Sequence, residues 1–311
     1  MTRVAAIDCG TNSIRLLIAD SVDGRLRDVH REMRIVRLGQ GVDATGRFAA
    51  EALQRTRVAL ADYAALCAAN GVERVRMVAT SAARDAANRD VFFAMTAEVL
   101  GVSAEVVTGA QEAELSFRGA VGELDSAGAP FVVVDLGGGS TEIVLGNSAV
   151  TASFSADIGC VRVTERCLHT DPPTANEVAD ARAVVRARLD EALRAVPVAR
   201  ARTWVGVAGT MTTIAALAQD LPAYDAAAIH LSRVCIDRLL DVCDGLIRMT
   251  GAQRAALGPM HPGRADVIGA GAIIVEELAV ALRERAGIDE LVVSEHDILD
   301  GIALSIATSA P

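Results

Sequence analysis

Apolar positions in this chain fall into two recurring patterns. Short apolar runs bounded by Gly, Asp, Ser or Thr predict strands at 72–79, 104–108, 203–207 and 290–293. Longer stretches with apolar residues three and four apart predict helices at 50–69, 89–100, 111–121, 174–195, 210–218, 233–249 and 264–285. Over 50–69, for instance, Leu53, Leu60, Tyr63, Leu66 and Cys67 form one core-facing stripe. The alternation of strands and helices predicts an α/β protein with mixed sheets flanked by helices.

One pattern occurs twice. Val4-Ala-Ala-Ile-Asp8-Cys-Gly10-Thr11-Asn12-Ser13 leads into Ile14-Arg-Leu-Leu-Ile18, and Val132-Val-Val-Asp135-Leu-Gly137-Gly138-Gly139-Ser140-Thr141 leads into Glu142-Ile-Val-Leu145. Each copy is an apolar strand ending in Asp, a turn of small residues, and a second apolar strand. That is a β-hairpin whose tip lets a ligand approach the backbone closely. Two copies predict two similar domains facing one another across a cleft. The turn-rich break at 124–130 separates them, giving domains 1–124 and 125–311, with the last helix, about 297–308, able to pack back on the first.

Composition narrows the chemistry. All 30 basic residues are arginine, so a Walker-type phosphate loop, which needs its lysine, is excluded. The net charge of −10 argues against nucleic acid or an anionic membrane as partner. No apolar stretch is long enough to span a bilayer, and the first residues enter a strand directly, so no signal peptide is expected. The six cysteines are scattered without a C-x-x-C pair and read as reduced residues of a cytoplasmic protein. The five histidines lack metal-ligand spacing, so no zinc site is expected; His296-Asp297 reads as a turn before the final helix.

Asp8 and Asp135 each stand where an apolar strand meets a glycine turn. Aspartate there commonly caps the turn; in two matching contexts, the pair also suits a Mg²⁺ held partly through water. The loop Gly137-Gly138-Gly139-Ser140-Thr141 can aim several N–H groups at one anion. A third turn, Gly206-Val-Ala-Gly209-Thr210, follows a strand and opens a helix, whose amino terminus favours anions. Glu112 starts a helix, where its charge is favourable whatever else it does.

Strand–DxGTNS, strand–DLGGGSTE and a later GxxGT, in that order, resemble the acetate-kinase, sugar-kinase, heat-shock and actin superfold. Within it the chain resembles the Ppx/GppA (exopolyphosphatase/guanosine-pentaphosphatase) family. The particular marks are Ala79-Thr-Ser81-Ala-Ala-Arg84-Asp-Ala86, Val106-Val-Thr-Gly109-Ala-Gln111-Glu112-Ala-Glu114-Leu115, Ile158-Gly159-Cys160-Val161-Arg162 and Arg264-Ala-Asp266-Val-Ile-Gly269. They run essentially end to end. The resemblance implies two actin-like (ribonuclease H-like) domains and hydrolysis of the terminal phosphate of inorganic polyphosphate. Guanosine pentaphosphate is the alternative substrate, and a non-catalytic nucleotide or polyphosphate sensor the alternative role. By position, Glu112 is the base on the attacking water. The loops Gly10, Thr11, Asn12, Ser13; Gly137 to Thr141; and Gly209, Thr210 cradle phosphates with Arg84, a fork-shaped donor suited to them. Asp8, Asp135 and Glu142 place Mg²⁺, or Mn²⁺. A homodimer is a family-level expectation. Two departures stand beside the base: Gln111 and Glu114, where relatives often carry glutamate and arginine. The resemblance is to the short two-domain form, for which the appended helical domain of longer relatives, with its basic surface, is not expected, so short polyphosphates are the expected substrates.

Overall fold

The computed structural model describes residues 2–307; the ends of the expected domains at 1 and 308–311, and the last position of the expected final helix, lie outside them. The chain divides into two compact units. The first takes the residues up to 119 and those from 297 onward; the second takes 120–296.

Unit 1 is built on β1 (Thr2–Cys9), β2 (Ser13–Val22), β3 (Arg25–Ile35), β4 (Arg74–Ala79) and β5 (Glu105–Val106), ordered β3-β2-β1-β4-β5. The first three form an antiparallel meander, and β1, β4 and β5 run parallel, so the sheet is mixed. Between the strands lie α1 (Val42–Thr45), α2 (Ala50–Ala69), α3 (Ser81–Asp85), α4 (Arg89–Leu100) and α5 (Gly109–Ala120). Side chains alternate between the faces of the central strands. Ala5, Ile7 and Cys9 pack with Leu60, Tyr63 and Phe92 on one side. Val4 and Ala6 pack on the other with Ile298, Leu299, Ile302 and Ala303 of the final helix, Ile298–Ala307. Both faces being covered explains why β1 reads as a continuous apolar run.

Unit 2 repeats the plan. β6 (Phe131–Leu136), β7 (Thr141–Gly146), β8 (Val150–Ala156), β9 (Thr203–Val207), β10 (Arg233–Cys235) and β11 (Glu290–Val293) are ordered β10-β11-β9-β6-β7-β8. Again a meander, β6-β7-β8, continues through a parallel neighbour, β9, to a second, β11. Its helices are α6 (Cys160–Cys167), α7 (Ala175–Ala195), α8 (Ala208–Ala218), α9 (Ala226–Ile229), α10 (Ile236–Arg248), α11 (Gly251–Ala255) and α12 (Ile268–Ala286). α7 starts with a reciprocal capping box between Thr174 and Glu177, which satisfies end donors that would otherwise face water.

The expected elements are present, with two corrections. The helix expected over 233–249 begins only at Ile236, because Arg233–Cys235 pairs antiparallel with β11. The helix expected over 264–285 begins at Ile268, after a 3₁₀ turn over Pro262–Arg264. β3, β8 and α6 had no counterpart in the sequence reading.

Candidate functional site

The two hairpins have the same construction down to the bond. Gly10 N–H donates to the Ser13 carbonyl at 2.9 Å, and Gly137 N–H to the Ser140 carbonyl at 3.0 Å. The strand-end aspartates occupy equivalent register positions: Asp8 lies opposite Arg15, and Asp135 opposite Glu142. The partner's charge differs, and that gives the copies different chemistry.

In unit 1, both Arg15 Nε and Nη2 donate to Asp8 Oδ2, at 3.0 and 2.6 Å, and Nη1 donates to Asp297. Asp8 is buried, and its Oδ1 has no hydrogen-bond partner. Burial raises its pKa, while Arg15 opposes the rise. Thr11 Oγ1 in the adjacent loop is likewise buried without a partner. An acceptor and a hydroxyl left unsatisfied beside the loop fit a hydrated cation or a phosphate oxygen, since buried polar atoms are otherwise nearly always bonded.

Glu112 is another buried carboxylate of this unit, besides Asp20, Asp297 and Asp300. It sits in the first turn of α5, whose buried Glu112, Ala113, Ser116, Phe117 and Ala120 make one helical face. Arg84 Nη1 donates to Glu112 Oε2 at 2.5 Å and to the Val107 carbonyl at 3.0 Å. Burial pushes the Glu112 carboxyl up to about 7; Arg84 and a hydrogen bond from Thr80 pull against that, and the Asp8 charge adds to it. The two departures from the family pattern stand apart from this carboxyl. Gln111 accepts from Thr108 N–H and Oγ1, capping the helix, and Glu114 is exposed.

In unit 2, Asp135 and Glu142 are buried and directly opposite on neighbouring antiparallel strands, so their side chains share one face. Ser155 Oγ donates to Glu142 Oε1 at 2.7 Å. Two adjacent buried carboxylates are a donor set for a hard divalent cation, which takes oxygen ligands. The Thr141 hydroxyl is committed to the Ile158 carbonyl at 2.6 Å, so it braces the loop while Gly137, Gly138, Gly139 and Ser140 form the tip.

Each loop is held by a glycine from outside it. Gly159 approaches so closely that a β-carbon there would lie 2.4 Å from the Gly138 carbonyl carbon, and α6 N–H groups donate to the Gly137 and Gly138 carbonyls. In unit 1, Gly39 does this: its N–H donates to the Thr11 carbonyl, and a β-carbon would lie 2.3 Å from Thr11 Cγ2. Gly39, Thr80, Arg15 and Asp297 were not among the expected site residues. The Leu38-Gly39 and Ile158-Gly159 echo was the signal for the first. Gly209 and Thr210 open α8 after Ala208, which has a positive φ of 70°. The Arg264 guanidinium lies where a β-carbon on Gly209 would be, and Thr210 meets Cys160 over Gly271. Unit 1 thus gathers Asp8, Thr11, Arg84 and Glu112, and unit 2 gathers Asp135, the glycine loop, Glu142 and the start of α8.

A family model described as the Ppx/GppA phosphatase family matches residues 17–306. The chain belongs to that family. It is 75% identical to Exopolyphosphatase 2 of Mycobacterium tuberculosis, covering 99% of both chains. Among solved structures, an exopolyphosphatase-like protein has a TM-score of 0.96 at 44% identity, covering 98% of this chain and 97% of its own. The Aquifex aeolicus PPX-GPPA enzyme has a TM-score of 0.80 at 33% identity, covering 98% and 99%. The two mixed sheets flanked by helices are the actin-like fold of this Ppx/GppA group. No described helix is long and apolar enough to cross a membrane.

Proposed function

We propose that this chain is an exopolyphosphatase that removes the terminal phosphate of inorganic polyphosphate, with Glu112 as the base. The observation that carries the assignment of the base is a buried glutamate poised near neutrality, with an arginine on one oxygen. A base of that affinity can take a proton at physiological pH and release it again. Water attacks the terminal phosphorus, its proton passes to Glu112, and the bridging P–O bond breaks, leaving orthophosphate and a chain one unit shorter. Arg84 holds Glu112 in place and presents positive charge to the phosphoryl oxygens. The glycine loops at Gly10–Ser13 and Gly137–Ser140 and the start of α8 at Gly209 and Thr210 supply backbone donors.

Asp135 and Glu142, with the open Asp8 Oδ1, are the residues that would hold Mg²⁺ or Mn²⁺. When bound there, such an ion would supply positive charge to the phosphate oxygens. The decisive assay is phosphate release from short polyphosphate, long polyphosphate, guanosine pentaphosphate and ATP side by side. Polyphosphate is expected to be turned over fastest, and Glu112→Gln is expected to lower kcat by roughly 10²–10⁴-fold while sparing the fold. Faster turnover of guanosine pentaphosphate would move the substrate assignment to it. Turnover of the variant within a few-fold of the parent would remove Glu112 from the role of base.

A further inference from the structure

The sequence offers no histidine spacing for a metal, yet the fold of unit 2 assembles one. His230 follows α9, His296 follows β11, and Glu123 follows α5. One ligand atom from each lies within 4.8 Å of the other two. The two imidazole rings stack with centroids 4.6 Å apart at 26°. His230 Nε2 is 2.9 Å from Glu123 Oε2, and the Glu295 N–H donates to His230 Nδ1 at 3.2 Å. The amide contact fixes the tautomer: Nδ1 accepts, so the ring proton sits on Nε2 and is donated to the Glu123 carboxylate.

From this juxtaposition we infer that Glu123, His230 and His296 form a binding site for a borderline divalent ion of the Zn²⁺ class, built from none of the carboxylates Asp8, Asp135 and Glu142. Two imidazole nitrogens and one carboxylate oxygen are a common zinc donor set, with one position left to water. Hard ions such as Mg²⁺ select oxygen donors and bind such a set poorly. Ligand atoms on a tetrahedral zinc lie roughly 3.3 Å apart, given bond lengths of about 2.0–2.1 Å. One edge of the triad already has about that length, and rotation of partly exposed side chains closes the rest. On binding, the ion takes the place of the proton between His230 and Glu123. The proton leaves Nε2 for solvent and solvent returns one to Nδ1, so the neutral imidazole changes tautomer with no net proton release, and the 3.2 Å amide contact is given up to water.

The location gives the site a consequence. The chain passes into unit 2 after residue 119 and out of it after His296. Glu123 and His296 are therefore on the entering and leaving segments, and an ion would fasten both to His230. Binding should stabilise the folded chain by RT ln(1 + L/Kd), where L is the free Zn²⁺ concentration, so Tm should go on rising with free Zn²⁺ after the site is filled.

The test is titration of the full-length, metal-stripped protein with Zn²⁺ by calorimetry and with Co²⁺ by visible absorption, in millimolar Mg²⁺. The exposed Cys235, a competing thiol, is first replaced by Ser in all samples. The expected result is one saturable site of micromolar or tighter affinity, with a Co²⁺ spectrum free of thiolate charge transfer and a Zn²⁺-dependent rise in Tm. His230→Ala and His296→Ala should each weaken it at least tenfold. Glu123→Gln, at an exposed position where folding is not at stake, should weaken it about tenfold without changing the metal-free Tm. Binding unaffected by these three variants, or absent below about 100 µM Zn²⁺, would overturn the site.

Discussion

At the scale of single residues, burial raises the pKa of both acidic groups flanked by arginine, and what differs is the company each keeps. Asp8 has two guanidinium donors on one oxygen and a bare second oxygen, whereas Glu112 has one donor from Arg84 and the neighbouring Asp8 charge. The doubled arginine contact opposes the effect of burial on Asp8, whereas on Glu112 the single arginine opposes it and the Asp8 charge adds to it. In the proposed reaction Glu112 must be ionised to act. The rate kcat/KM should therefore fall about tenfold for each pH unit below a limb near 7 and level off above it. Thr80 stabilises the ionised form, so Thr80→Val should move that limb to higher pH; a limb that stays in place would mean that another group titrates. The metal-binding assignment is separable. Asp135→Asn should raise the Mg²⁺ concentration needed for half-maximal rate about tenfold or more, whereas Asp8→Asn, with its charge already matched by Arg15, should raise it less. A Mg²⁺ titration unchanged in both would leave these residues as turn caps.

Among the elements, the hairpins were legible because each is a strand buried on both faces and closed by glycine, a pattern local in sequence. β3 was not. It is an edge strand rich in charge, and a bulge opposite Ile18 and Ala19 leaves Val29 unpaired, so its alternation changes phase halfway. β10 is three residues long and runs straight into α10, too short for its alternation to stand out from the helix that follows. The glycine struts were legible only as an echo, Leu38-Gly39 and Ile158-Gly159: the need for glycine lies in what each touches, and that is set by tertiary structure. Gly159→Ala would place its β-carbon against Gly138 backbone, which cannot give way as a side chain end can. It should cost roughly 1–3 kcal/mol in unfolding free energy and raise KM, as the loop is displaced. Unchanged KM with lowered stability would show that the loop's position does not govern phosphate binding. The histidine pair at 230 and 296 belongs to the same class, being close only after β11 and the α9 segment are folded together.

Over the whole molecule, charge decides what length of substrate the chain can hold. A long polyphosphate gains affinity when a basic track neutralises phosphates beyond the reacting one, and its binding then becomes steep in salt. Arginines crowd on β3 and on α7, and most there are answered by acid: Arg31 pairs with Asp28 and Asp300 and Arg34 with Glu32 and Asp62, while Arg182 pairs with Glu276, Arg186 with Glu277, Arg188 with Glu191, and Arg285 of α12 with Asp190. The exposed pairs among these, Arg188–Glu191 and Arg285–Asp190, are worth about 0–1 kcal/mol and can open. Opening one still leaves a carboxylate beside the arginine, so the local field is near neutral, on a chain whose net charge is −10. Phosphates far from the reacting end therefore find no sustained attraction. At equal concentration of chain ends, short polyphosphates should be turned over at least as fast as long ones, long chains should be released between cleavages, and KM for long chains should be no steeper in salt than for short ones. Sizing the products during the reaction distinguishes the cases. Long chains consumed without released intermediates, with KM rising steeply between 50 and 200 mM salt, would require a polyanion track that these arginine pairs do not provide.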